Sequence, residues 1–334
     1  MASSPRSPPP APTPEFEISR QSRLFAALSK KVIDLDELRM LAAQGVPDAA
    51  GVRATVWKLL LGYLPNDRSL WEQELAKKRA QYAAFKDEFL RNPCSEIMEQ
   101  IDRDVKRTHP DMHFFCGDSS FAKSNQESLK NVLLIFAKLN AGIRYVQGMN
   151  EILAPLFFVF RSDPDDKNAK FAEADSFFCF VELLSGFRDN FCQKLDNSAV
   201  GIRGTLAKLS QLVATYDGEL QHHLEVTTEV NPQFYAFRWI TLLLTQEFNF
   251  ADIIHIWDTL LSDPDGPQNM LCDADPCPEA PLGRRFHLQP QAPAELPANE
   301  HQPPPLRRQQ VAVSRSLLRL KHCCVCSAKA VAES

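Results

Sequence analysis

Two short polar clusters stand in strongly apolar surroundings: Ile101-Asp102-Arg103-Asp104-Val105-Lys106-Arg107-Thr108 and Tyr145-Val146-Gln147-Gly148-Met149-Asn150. Asp104 and Arg107 are three positions apart, so on a helix they share a face and can pair. Arg107 also falls in a last helical turn, where the dipole favours a cation. A surface ion pair is one reading. The other is that Arg107 projects into a partner, because a planar, permanently charged guanidinium suits the charge that builds on a phosphoryl group in transfer. Gln147 leaves a similar choice. Its amide either satisfies a loop carbonyl, or offers the donor and acceptor needed to hold a water in line with a γ-phosphate. Gly148, next to it, lets another backbone approach closely.

The elements that must position these groups are helical almost throughout. Leu35, Leu38 and Leu41 recur at helix spacing after Asp34, closing on Gly45 before Pro47. Val52 to Leu61 carries Arg53 and Trp57 one turn apart. Asp67 or Ser69 is placed to cap a long helix with the stripe Trp71, Leu75, Tyr82, Phe85 and Phe89. Ser95 is placed to cap the helix that bears the first cluster, with Ile97, Ile101 and Val105 on one face and Pro110 as its limit. Leu129 to Leu139 forms an amphipathic helix ending near Asn140-Ala141-Gly142. Asn150 to Phe160 is apolar on nearly every side, which predicts a helix buried in the core, with Pro155 as a kink. Further helices are expected over 170–190, 203–217, 219–226, 234–248 and 252–261. No alternating run bounded by hairpin turns appears in the first half, and the expected class is all-α.

Proline marks the boundaries. Six of the 24 prolines lie in residues 5–14 and eleven in 264–305, leaving seven for the 249 residues between. Proline removes backbone donors and breaks helices. The expected organisation is therefore a disordered Ser/Pro-rich segment over 1–15, a folded body over 16–261, and a Pro-rich tail with a short terminal helix over 262–334. The net charge of −5 gives no reason to expect a nucleic-acid partner. The first residues have no apolar core of a signal peptide, and the longest apolar run, 152–160, is about half of a membrane span. The nine irregularly placed cysteines fit reduced thiols in a cytoplasmic protein.

The order Ile101-x-x-Asp104-x-x-Arg107, then Tyr145-x-Gln147-Gly148-Met149-Asn150, resembles the TBC domain of Rab GTPase-activating proteins. Arg53-x-x-x-Trp57 upstream and Trp239 with Trp257-Asp258 downstream match other parts of that family's pattern, and the resemblance covers about Leu38 to Leu261. It implies a two-lobed helical domain. It also implies that Arg107 acts as an arginine finger on GTP bound to a Rab, and that Gln147 acts in trans to position the attacking water. Asp104 would orient Arg107, while Arg53, Trp57, Tyr145, Gly148 and Asn150 would hold the loops or help seat the Rab. The implied partner is a GTP-bound Rab that brings its own GTP and Mg²⁺, so no cofactor or metal belongs to this chain. No Gly-x-x-x-x-Gly-Lys-Ser/Thr loop is present for nucleotide hydrolysis by the chain itself.

The pattern departs from the family in two places. Asn140-Ala141-Gly142-Ile143-Arg144 replaces the usual proline after the asparagine and the usual small residue before the tyrosine. Arg144 thereby becomes either a modifier of partner choice or a solvated loop charge. After Leu261 the chain turns Pro-rich where the family continues with helices. The second lobe is then expected to be incomplete, with the apolar faces of 234–261 short of partners. Two alternatives follow from that, a non-catalytic Rab-binding module and a chain unable to fold. The tail Cys323-Cys324-Val325-Cys326 beside a basic segment leaves open palmitoylation, zinc or a plain surface helix. Membrane contact is expected only through the Rab, or weakly through this tail.

Overall fold

Several helices in this chain start at short side chains that satisfy free amides. Asp34 accepts from the amides of Asp36 and Glu37 at 3.0 and 3.2 Å and starts α2 (Leu35–Ala42). Ser119 accepts from Ala122 and starts α6 (Ser120–Leu139), and Asn249 accepts from Asp252 and starts α13 (Phe250–Leu261). Asp67 caps a single 3₁₀ turn, Arg68–Leu70, which feeds directly into α4 (Trp71–Phe89). The computed structural model describes residues 14–48, 51–91, 95–191, 201–216, 218–227, 233 and 236–267. Among these there is no strand, only one isolated bridge between Val32 and Asp67. The fold is all-α.

The remaining helices are α1 (Pro14–Ser29), α3 (Val52–Leu60), α5 (Ser95–Lys106), α7 (Met149–Arg161), the short α8 (Asp166–Ala169) and α9 (Ala172–Ser185). They are followed by α10 (Ile202–Tyr216), α11 (Gly218–His222), which runs into a π turn, and α12 (Ala236–Leu242). The helix α7 is the central post. It packs against α3, α5, α6, α9, α12 and α13, and Met149, Ile152, Leu153, Ala154 and Leu156 are fully enclosed. An unbroken apolar helix of this kind is stable in water only with neighbours on every side. A second, smaller core joins Ile202, Leu206 and Leu209 of α10 to Ala236, Trp239 and Ile240 of α12.

Two buried carboxylates tie distant parts of the chain together. Asp258 of α13 accepts from Arg53 Nε at 3.0 Å, Trp57 Nε1 at 2.8 Å and the Val46 amide at 2.8 Å, clamping α3 to α13 across more than 200 residues of sequence. Asp175 of α9 accepts from Lys58 at 2.6 Å, Tyr63 at 2.7 Å and Arg79 at 2.8 Å, joining α3, α4 and α9. Burial alone would raise the Asp175 carboxyl, but Arg79 and Lys58 overcome it and hold the group below the ordinary range.

Three expectations change. Residues 234–248 do not form one helix, because α12 ends at Leu242 and Leu243 and Leu244 take left-handed backbone, φ 48° and 65°. That turn aims the Leu243 carbonyl at Trp257 Nε1, 3.1 Å away. The apolar faces of 236–261 are also not short of partners. Ile240, Leu243, Ile253, Trp257 and Leu260 are all buried, covered by α3, α7 and α10. Finally, α1 begins at Pro14, inside the segment expected to be irregular. The expectations for 1–13 and for the tail from 268 onward, including its cysteines and the completeness of the second lobe, lie outside the described residues.

Candidate functional site

The helix α5 delivers the first cluster. Its buried face, Ile101 and Val105, sits in the main core, which turns Asp104 inward and leaves Arg107 at the rim just past the last turn. His109 then adopts left-handed backbone, φ 41°, and Pro110 disfavours any return to helix. Asp104 is 4% exposed. Its Oδ1 forms an ion pair with Arg107 Nη2 at 2.7 Å, while the Arg107 side chain stays 57% exposed. One end of the guanidinium is thus anchored and the rest faces solvent.

The second cluster meets the first through Tyr145. Its hydroxyl donates to Asp104 Oδ2 at 2.6 Å, so one carboxylate holds Arg107 with one oxygen and the loop with the other. Burial, reinforced by Asp104, raises the Tyr145 phenol far above its ordinary value, and it remains a donor. Asn150 closes the ring from below. Its Nδ2 donates to Thr108 Oγ1 at 2.8 Å and lies 3.3 Å from the Asp104 carbonyl, which Thr108 Oγ1 also caps at 3.0 Å.

Gln147, two residues beyond Tyr145, is exposed and makes no hydrogen bond among the described residues. Gly148 follows at φ 102°, as the residue before α7. The left-handed backbone favours glycine there, and a Cβ would also lie 2.6 Å from the tip of the half-buried Leu242 side chain, which would have to turn aside.

The structure therefore brings together Asp104, Arg107, Tyr145, Gly148 and Asn150, with Gln147 beside them. It does not bring Arg53 and Trp57 there. Trp57 is fully buried and Arg53 nearly so. They belong to the Asp258 clamp, with Trp57 packed against Trp257 at 5.8 Å, and neither is exposed to meet a partner. Among the described residues, that clamp shares no hydrogen bond with the Asp104 network. Arg144, singled out by its sequence position, stands exposed in left-handed backbone, φ 60°, one residue before Tyr145.

Sequence reasoning gives no role to Thr108, His109 or Glu151. Glu151 accepts from Asn150 Nδ2 at 2.8 Å. Burial lifts its carboxyl to about 7, against the pull of Gln246, Asn150 and Arg107. His109 is lowered by burial to about 4 and lies edge-on to Phe250, 4.6 Å between ring centres. The signal available in the sequence is an acidic residue in the first turn of an otherwise apolar helix.

The profile of the Rab-GTPase-TBC domain matches residues 50–272. The chain belongs to the Rab-GTPase-TBC domain family. Human TBC1 domain family member 13 is 32% identical over 339 aligned positions, covering 73% of this chain and 84% of that protein. The GTPase-activating protein GYP1 of Saccharomyces cerevisiae is 33% identical over 255 positions, covering 70% of this chain and 38% of the yeast protein. The crystal structure of the Ypt/Rab-GAP domain of Gyp1p superposes with a TM-score of 0.67 at 29% identity, over 77% of this chain and 83% of that one. The match spans both polar clusters and Arg53, Trp57 and Asp258 of the clamp. Among the described residues, no helix is long and apolar enough to cross a membrane.

Proposed function

We propose that this TBC domain accelerates GTP hydrolysis by a Rab-family GTPase, supplying Arg107 as an arginine finger and Gln147 as a glutamine finger in trans. The observation that carries the reading is the shared carboxylate: Asp104 grips Arg107 with one oxygen and Tyr145 with the other. A single buried group thereby fixes the finger and the loop that bears Gln147 relative to one another. Family membership and the relatives named as GTPase activators support the same reading.

The chemistry follows from what each side chain can do. As hydrolysis proceeds, negative charge accumulates around the transferred phosphoryl group, and a guanidinium placed there stabilises it more than it stabilises the ground state. Arg107 has its charge, its exposure and one anchored edge, so it loses little freedom on docking. The Gln147 amide can accept from a water and donate to a phosphate oxygen at once. Among the described residues it has no internal partner that would have to be broken first. GTP and Mg²⁺ arrive with the partner, and any membrane contact is made through that partner.

The test is phosphate release from a panel of purified, GTP-loaded Rabs with catalytic amounts of this chain and of Arg107→Ala and Gln147→Ala. An arginine finger is worth roughly 10³–10⁵ in rate, so Arg107→Ala is expected to abolish the acceleration, and Gln147→Ala to reduce it severely, with both variants still unfolding cooperatively. Binding of GTP-loaded Rab without faster hydrolysis would select a non-catalytic binding module instead.

A further inference from the structure

Arg144 stands beside the fingers, and the chemistry proposed for them gives it no task. It is exposed, and among the described residues its side chain makes no hydrogen bond, ion pair or ring contact. Its backbone is nevertheless fixed. The amides of Ile143 and Arg144 donate to the Asn140 carbonyl at 3.0 and 2.7 Å. Asn140 is itself tied back to the Phe136 carbonyl by its amide and its side chain, both at 2.9 Å. This turn, which ends α6, leaves Arg144 at φ 60°. Left-handed backbone costs an arginine free energy that glycine avoids and asparagine tolerates better. A strained residue whose side chain serves nothing inside the molecule directs attention to what lies outside it.

Its place is set by contacts of the finger site. Arg144 precedes Tyr145, whose hydroxyl reaches Asp104 at 2.6 Å, and Asp104 holds Arg107 at 2.7 Å. Gln147 lies three residues on, so the Cα atoms of Arg144 and Gln147 are at most about 11 Å apart. A protein partner typically covers roughly 800 Å² of the surface it meets, a patch about 30 Å across. A GTPase that engages Gln147 and Arg107 together therefore also covers or borders Arg144. A guanidinium approached by a second protein loses water and needs an acceptor in exchange. Against an apolar or basic surface it opposes docking. A carboxylate is the matching group, because the planar fork can donate two parallel hydrogen bonds to it.

We propose that Arg144 is a specificity-determining residue, selecting among GTP-loaded Rabs those that present an acidic side chain beside the nucleotide site. This rests on the GTPase-activating reading, and it concerns which Rab docks rather than how GTP is cleaved.

The experiment measures kcat and KM for acceleration of each responsive Rab by the parent chain, Arg144→Gly, Arg144→Asn and Arg144→Lys. Glycine and asparagine suit the left-handed backbone and remove the charge, so both variants are expected to unfold at or above the parent's Tm. For the Rab the parent favours most, KM is expected to rise roughly tenfold in these two variants, with kcat at saturating Rab within about twofold. Lysine keeps the charge without the fork and is expected to fall between. The parent's advantage should shrink by about 1 M salt, where the screening length is about 3 Å. Rabs that the parent favours less should lose less.

Unchanged KM for every responsive Rab overturns the proposal, since Arg144 is then a solvated charge. So does an equal loss for all of them, which is affinity without selection. A fall in kcat with KM unchanged also overturns it, because the guanidinium then acts on the phosphates. If the parent accelerates no Rab, the activating reading fails by itself. Affinity for GTP-loaded Rabs then decides the role of Arg144: no binding, or equal affinity of the parent and Arg144→Gly, overturns it, whereas a selective loss of binding in Arg144→Gly sustains it.

Discussion

Tyr145→Phe removes one oxygen atom and leaves the aromatic ring in place, so it isolates the hydroxyl's bond to Asp104, one of the bonds that join the two clusters. The lost contact is short, 2.6 Å, and ends on a carboxylate that is itself buried. Hydrogen bonds to charged groups contribute roughly 1.5–3 kcal/mol, and because the ring remains no cavity term adds to this. For a folded body of this size the loss corresponds to a drop of roughly 3–12 °C in Tm. The functional effect is distinct from the structural one. Asp104 Oδ2 is left without its donor, the carboxylate's full charge falls on Arg107, and the loop bearing Gln147 loses its tie to α5. Acceleration of a responsive Rab is expected to fall well beyond what the folded fraction explains. The assay is urea unfolding together with phosphate release, on Tyr145→Phe, Arg107→Ala and the double variant. In the double variant the stability loss should persist while the catalytic effect disappears, since nothing remains for the tyrosine to orient. A single variant with stability within about 0.5 kcal/mol of the parent and full activity would refute the bridging role of Asp104.

Gly148→Ala combines left-handed backbone with a Cβ against Leu242. It should lose roughly 1–2 kcal/mol by denaturant unfolding, with a matching loss of acceleration because Gln147 is the preceding residue. Asp258→Ala leaves Trp57 Nε1 and the Val46 amide without an acceptor and leaves Arg53 held by Asp48 and the Val46 carbonyl, and should cost roughly 3–5 kcal/mol, while activity per folded molecule is retained, since this clamp shares no hydrogen bond with the Asp104 network among the described residues. Asp175 is held below its ordinary 3.8, so its stabilising contribution is complete above that value and is lost as pH falls through the depressed folded value. An acid titration of the unfolding midpoint should therefore show no loss from this group above pH 4.

What the sequence makes legible divides along the physics. The i, i+3 pair of Asp104 and Arg107 is visible because helical geometry makes it local. So is the burial of Asn150 to Phe160, which has no polar face to offer solvent. The contacts that fix the assembly are long-range. Arg53 and Asp258 are 205 positions apart, and no spacing rule connects them; the resemblance implies that Arg53 and Trp57 hold the loops or help seat the Rab, whereas the structure places both in a clamp on Asp258. The break after Leu242 is illegible for another reason. Nothing in two leucines signals left-handed backbone, and the turn is held by Trp257 reaching the Leu243 carbonyl. Tertiary contact with α3, α7 and α10 also supplies partners for the later apolar faces that the local sequence pattern does not show. Glu151 and His109 escape notice because each is ordinary alone, and their approach within the buried network is set by tertiary packing.

The most direct measurement uses a Rab whose own catalytic glutamine has been replaced by alanine. If Gln147 orients the attacking water in trans, that altered Rab, GTP-loaded and in single turnover, is still accelerated by the parent chain and not by Gln147→Ala. If the altered Rab ceases to respond to the parent chain while the unaltered Rab responds, the partner positions the water itself, and Gln147 is not a catalytic finger.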